Sequence, residues 1–117
     1  MTCTPTRPSA DDVSENVTVR RAAAWLIVVE AVAAGCPIPV GVYVARNGSG
    51  VTVTVNDLYD LAAWIVHLQA PAATAREYRR EPGEQWQRTH RVAHVVGTVL
   101  VDVNHDERIT APTGGVA

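Results

Sequence analysis

The string DVNHDERIT, residues 102–110, spaces oxygen donors as a calcium loop does. Asp102, Asn104 and Asp106 fall on the first, third and fifth positions and Ile109 on the eighth, where short oxygen-bearing side chains would circle a hard cation. Two requirements fail. Glu107 stands where a glycine permits the sharp turn, and Thr113 where a bidentate carboxylate closes the shell; a β-rich run rather than a helix leads in. The string reads better as an ordinary polar turn. Upstream, His90 and His94 are four apart, which on a strand turns both to one face, and His105 approaches from a neighbouring strand. Three imidazoles suit zinc or another transition metal, with an open position for water in a catalytic site. Histidines on the solvent face of a sheet use the same spacing, and that reading is preferred. The expectation is therefore no metal and no other cofactor, with these six residues the weak candidates.

Nucleophilic chemistry finds less. No serine stands in an elbow motif, and no glycine-rich strand-to-helix turn offers phosphates a cradle; NGSG, residues 47–50, joins two β-forming runs. Cys36, a lone cysteine ahead of Pro37, is a poor nucleophile candidate without a placed histidine base. With Cys3 in a polar tail and no CxxC spacing, both thiols are expected reduced. The sequence favours a protein that is not an enzyme.

Arginines offer a different chemistry. Arg76, Arg79, Arg80, Arg88 and Arg91 put half of the ten basic side chains into sixteen residues, interleaved with Tyr78, Trp86, His90 and His94. Guanidinium groups grip phosphates while exposed rings stack on bases, so the segment is a candidate nucleic-acid surface. Glu77, Glu81 and Glu84 weaken that case, because ion pairing on a solvated face uses the same letters.

The elements that must position these groups are legible from pattern. The 117 residues carry a formal charge of −2, with 47% apolar and 19% charged residues, which suits one ordinary globular domain and argues against a surface built throughout for polyanions. Residues 1–15 have little to bury and are expected to form a flexible arm; residues 16–110 form the domain and 111–117 a flexible tail. From Val17 to Ala34 the pattern is helical, stopped by Gly35 and Pro37. A 100° rotation per residue puts Trp25, Val28, Val29 and Val32 on the core face and leaves Leu26 and Ile27 outside it. Those two are candidate interface residues, together with Tyr43, unless the helix is enclosed on two sides.

Val40, Val42 and Val44, then Val51, Val53 and Val55, alternate with small, polar or aromatic residues around NGSG, which predicts a β-hairpin with its valines inward. Asn56 or Asp57 caps a second helix with a stripe of Leu58, Leu61, Ile65 and Leu68, flanked by Trp64. Residues 71–84 read as a long connection with a helical turn near 76–80, followed by strands near 86–95 and 98–104. The nonapeptides AAWLIVVEA (23–31) and AAWIVHLQA (62–70) each lie on a helix before a pair of strands, as a duplicated αββ unit would, with each indole wedged between helix and sheet. Only four of the nine positions are identical, and coincidence between two alanine-rich helices is the preferred account of the likeness. The predicted fold is α+β in αββαββ order: a four-stranded, mainly antiparallel sheet with two helices on one face.

The stretch VYVARNGSGVTVTVNDLYDLAAWIVHLQA, about a quarter of the chain, resembles small proteins of GC-rich Gram-positive bacteria and their phages, and the all-arginine basic set fits such a genome. The resemblance implies no activity; it implies an accessory role in a mobile element. No start of the secretory type opens the chain, and the longest apolar run, Ala22 to Val29, is far short of the about 20 residues a bilayer needs. A cytoplasmic, non-membrane location follows as an expectation. The first functional reading is a protein-interaction or assembly module, with a protein partner or a second copy of itself. The alternative is a small nucleic-acid-binding regulator using residues 76–94.

Overall fold

Valine alternation decides the centre of the molecule. In the computed structural model, which describes residues 10–112, Val51, Val53 and Val55 and the facing Val99, Val101 and Val103 are all buried. β-Branched side chains fit a pleated, half-buried surface, and these two runs become adjacent strands. The elements are α1 (Ala10–Ala33), β1 (Gly41–Val44), β2 (Gly50–Thr54), α2 (Leu58–Leu68), β3 (Thr74–Tyr78), β4 (Trp86–Val96) and β5 (Val99–Ile109). The sheet order is β1-β2-β5-β4-β3, antiparallel throughout except for the parallel β2–β5 pair. One core takes Ala24, Val28 and Ala31 from α1, Leu61, Trp64 and Leu68 from α2, and the valines of β1, β2, β4 and β5. Both helices therefore lie on one face of the sheet.

The α+β class, the hairpin and the two helices stand as expected. The sheet differs in having five strands, one pair of them parallel. The added strand, β3, occupies the segment expected to be a connection with a helical turn. Its sequence TAREY has no apolar alternation because it is an edge strand paired only to β4, and charge on an edge discourages pairing with other chains. β5 runs on to Ile109, so DVNHDERIT is strand rather than the expected polar turn. The β4–β5 hairpin closes through Gly97 and Thr98, and only Gly97 has positive φ (62°), the pattern of a type II′ turn.

The helices also correct the expected faces. α1 begins at Ala10, inside the segment expected to be an arm; residues 1–9, Cys3 among them, and 113–117 of the expected tail lie outside the described residues. Its C-terminus stops as expected, with the Cys36 N–H donating to Ala31 O at 3.0 Å and the Gly35 N–H to Val32 O at 3.0 Å. Its core face is Ala24, Val28 and Ala31, not Trp25 and Val29, which are exposed. Two alanines let the helix backbone approach a sheet already tiled with valine, where an indole would hold it off. Leu26 is exposed, whereas Ile27 packs against the core. On α2, Asp57 is the N-cap, accepting from the Asp60 N–H at 2.8 Å; Trp64 is the centre of the buried stripe, and Leu58 is exposed. Val40, expected inward, precedes β1 and is exposed. No helix among the described residues is long and apolar enough to cross a membrane.

Candidate functional site

β4 and β5 are about twice as long as β2, so their far halves, with β3, extend beyond the core as a three-stranded ribbon. Strand alternation sends neighbouring residues to opposite faces. On the helix side stand Glu77, Trp86, Arg88, His90, His105 and Glu107; on the outer side stand Arg76, Tyr78, Thr89, Arg91, Asp102, Asn104, Asp106 and Arg108.

The helix side is occupied by its own ion pairs. Arg88 Nη2 meets Glu77 Oε2 at 2.7 Å and Arg88 Nη1 meets Glu107 Oε1 at 3.4 Å, while His90 Nε2 lies 2.5 Å from Glu107 Oε2. His90 faces His105 across β4–β5 with rings stacked at 6.2 Å, and the Nδ1–H of His105 donates to Val55 O at 3.2 Å. His94, opposite Val101, is four residues along β4 from His90, about 13 Å on a strand. Two of the three candidate histidines are thus brought together and the third is not. Asp102, Asn104 and Asp106 share the outer face but are strung along β5, 102 to 106 spanning about 13 Å, so they do not encircle a point. Among the described residues no three His, Cys, Asp or Glu are grouped as a metal ion would require.

The outer side is different. A recess of about 580 Å³ is lined by Thr74, Arg76, Tyr78, Arg79, Thr89 and Arg91. Arg91 pairs with Asp102, a carboxylate buried in the sheet surface, and Thr89 donates to Asp106 Oδ1 at 2.5 Å. The Arg79 guanidinium sits 4.9 Å from the Trp86 ring centroid. A neighbouring recess is lined by Tyr78, Arg80, Glu84, Gln85, Gln87 and Asp106. The six residues named as a nucleic-acid surface are therefore split: Arg76, Arg79 and Arg91 share one recess, Arg80 borders the next, and Trp86 and Arg88 are turned to the other face.

A second surface lies on the helix layer. Val19, Trp25, Leu26 and Val29 of α1 are each about half exposed, Trp25 at 48% and Leu26 at 54%. At 100° per residue, they and the exposed Ala22 and Ala33 occupy about a third of the helix circumference, from Val19 to Ala33, a rise of about 21 Å. Leu26 belongs to this stripe, Ile27 does not, and Tyr43, 66% exposed, stands on the outer face of β1. Sequence reasoning missed Trp25, Val29 and Val19. The signal was present, since residues 22–34 contain one charged residue, Glu30, and any choice of core face leaves apolar residues outside. Beside the end of α1, a recess of about 480 Å³ is lined by Ala34, Cys36, Ala62, Ala63, Val66 and His67 among others. Burial raises the Cys36 thiol pKa, and its Sγ lies 4.0 Å from Ala63 O, so the group is a packed thiol rather than an activated nucleophile. No protein-family model matches the chain, and comparison with curated proteins and with solved structures finds no match.

Proposed function

We propose that the chain is a non-enzymatic assembly module that pairs with a second copy of itself through the outward stripe of α1. The observation that carries this reading is that α1 is apolar nearly all round from Ala22 to Ala33, while the domain buries only the side bearing Ala24, Val28 and Ala31. A helix apolar all round is ordinarily enclosed on all sides, and contiguous exposed apolar surface marks an interaction site. The occupant is a second copy because the stripe is complementary to itself. In an antiparallel pair with its two-fold axis between residues 25 and 26, Trp25 meets Leu26 of the other copy, and the small Ala22 meets Val29. A closed two-fold contact of this kind uses one patch twice and leaves nothing to propagate.

Size-exclusion chromatography with light scattering tests it. The expected mass is twice that of the 12.5 kDa chain, reverting to the monomer on Trp25→Glu or Leu26→Glu. A monomer at every concentration up to the millimolar range overturns the reading, as does a dimer indifferent to both substitutions. If the monomer binds another protein through the same stripe, the self-pairing claim fails.

A further inference from the structure

The pleat of the ribbon sorts its charges. Of the three glutamates that dilute the arginine-rich segment in the sequence, Glu77 is on the helix side with Glu107, where Arg88 and His90 engage the two, while Glu81 and Glu84 are exposed in the β3–β4 connection. On the outer side Arg76, Arg91 and Arg108 outnumber Asp102 and Asp106, and Asp102 is taken up by Arg91; Arg79, just beyond the end of β3, lines the same recess while its guanidinium lies over the Trp86 ring. Neither Arg76 nor Arg79 has a carboxylate within ion-pair distance among the described residues, and both line the same recess as Tyr78. We propose that this outer face binds single-stranded nucleic acid, with Arg76 and Arg79 on the phosphates and the Tyr78 ring against a base. The site is independent of the self-pairing stripe, which lies on the opposite layer.

Single strand rather than duplex follows from the shape of the surface. Both helices lie on the other face, so among the described residues no element stands out from this one to enter a groove. An open sheet carrying a ring among guanidinium groups suits splayed bases, which stack on any aromatic face while cations track the backbone. A second ring, Tyr43, stands on the same outer face of β1, four strand spacings or about 19 Å from β3. The threonines between them, Thr52 and Thr54, and Asn104 supply hydroxyl and amide groups along that path; Thr54 Oγ1 donates to Asn104 Oδ1 at 3.1 Å.

Fluorescence anisotropy with a fluorescein-labelled oligothymidylate tests the proposal on the full chain. Binding is expected at low salt and weakens steeply as salt rises. Arg76→Ala with Arg79→Ala lowers affinity at least tenfold and reduces the log–log salt slope by about 1.4, at about 0.7 per phosphate contact. Tyr78→Leu lowers affinity about tenfold at unchanged slope. Arg46→Ala, in the β1–β2 turn, leaves binding as it was. Thermal melts confirm that each variant folds, and light scattering reports the oligomer separately, so loss of pairing in Trp25→Glu with retained oligonucleotide binding keeps the two readings distinct. The proposal is overturned by no binding at low salt, by equal loss in Arg46→Ala and the double variant, by equally tight binding of a labelled duplex, or by equal competition from polyglutamate.

Discussion

The indole N–H of Trp64 donates to the backbone carbonyl oxygen of Pro37 at 3.0 Å, and the ring that carries it is fully buried. One side chain thus ties α2 to the segment joining α1 to β1, filling the core between Leu61 and Leu68 while pairing a carbonyl that the rigid Pro37 fixes in place. Trp25, in the same letters on α1, does none of this. Trp64→Ala is expected to cost about 3–5 kcal/mol, and Trp25→Ala less than about 1 kcal/mol in the monomer. Urea titration followed by far-ultraviolet circular dichroism, at a concentration where the chain is monomeric, reads both; similar losses at the two sites would refute the assignment of different roles.

The contrast between the two tryptophans shows what the sequence could and could not disclose. Aligning the nonapeptides places Val28 of α1 against His67 of α2, three positions after each indole. A valine there draws the core face one residue back, onto Ala24, Val28 and Ala31, and turns Trp25 out; a histidine leaves the face on Leu61, Trp64 and Leu68. That is a phase difference of about 100°, which a run apolar on every side cannot reveal by periodicity. The β1–β2 hairpin was legible because Val51, Val53 and Val55 alternate cleanly around a turn rich in glycine. β3 was not, because an edge strand needs no apolar face and TAREY therefore looks like a loop. The parallel β2–β5 pairing brings together segments some fifty residues apart, and no local letter encodes it. Of the candidate sites, the arginine cluster was visible, but its division between two faces of a ribbon depended on β3 being a strand.

Arg91 and Asp102 form an ion pair on the outer face in which the two partners are unequally exposed. The arginine side chain is 61% exposed and the carboxylate's 12%, and Asp102 Oδ1 has no hydrogen-bond partner among the described residues. Removing the cation leaves a mostly buried carboxylate without its counter-charge, which is costlier than removing both. Arg91→Ala is expected to destabilise by about 1–3 kcal/mol, and Asp102→Asn in the same chain to restore part of that loss. A double-mutant cycle by chemical denaturation checks it; additive effects would show that the pair contributes no coupling.

Gly48 couples the hairpin turn to α1. It has φ of 75°, and a Cβ built on it would lie 2.5 Å from the Arg20 Cβ and 3.1 Å from both the Arg21 N and the Val17 O. Gly97 also has positive φ, but a Cβ there meets nothing within 4 Å. Gly97→Ala therefore carries only the left-handed backbone penalty, about 1–2 kcal/mol. Gly48→Ala adds displacement of a helix backbone and is expected to cost at least about 1 kcal/mol more. Thermal melts of the two variants decide: equal shifts in Tm would mean that the turn does not bear on α1.

Burial raises the Cys36 thiol above its ordinary pKa of 9.0, and this has a direct consequence for alkaline stability. The folded chain keeps its thiol proton to higher pH than the unfolded chain, so between the two values the folded state binds more protons. Stability contributed by the neutral buried thiol is complete below the unfolded value and is lost as pH rises through the folded one. The other titrating groups are shared with a Cys36→Ala variant and cancel in the difference. The wild type should therefore lose stability relative to Cys36→Ala as pH rises above about 8, with the difference constant below that. Urea midpoints of the two proteins across that range measure it. Parallel curves would mean that the thiol ionises in the fold as freely as in the unfolded chain, and a gap that opens in the other direction would mean that the folded protein favours the thiolate.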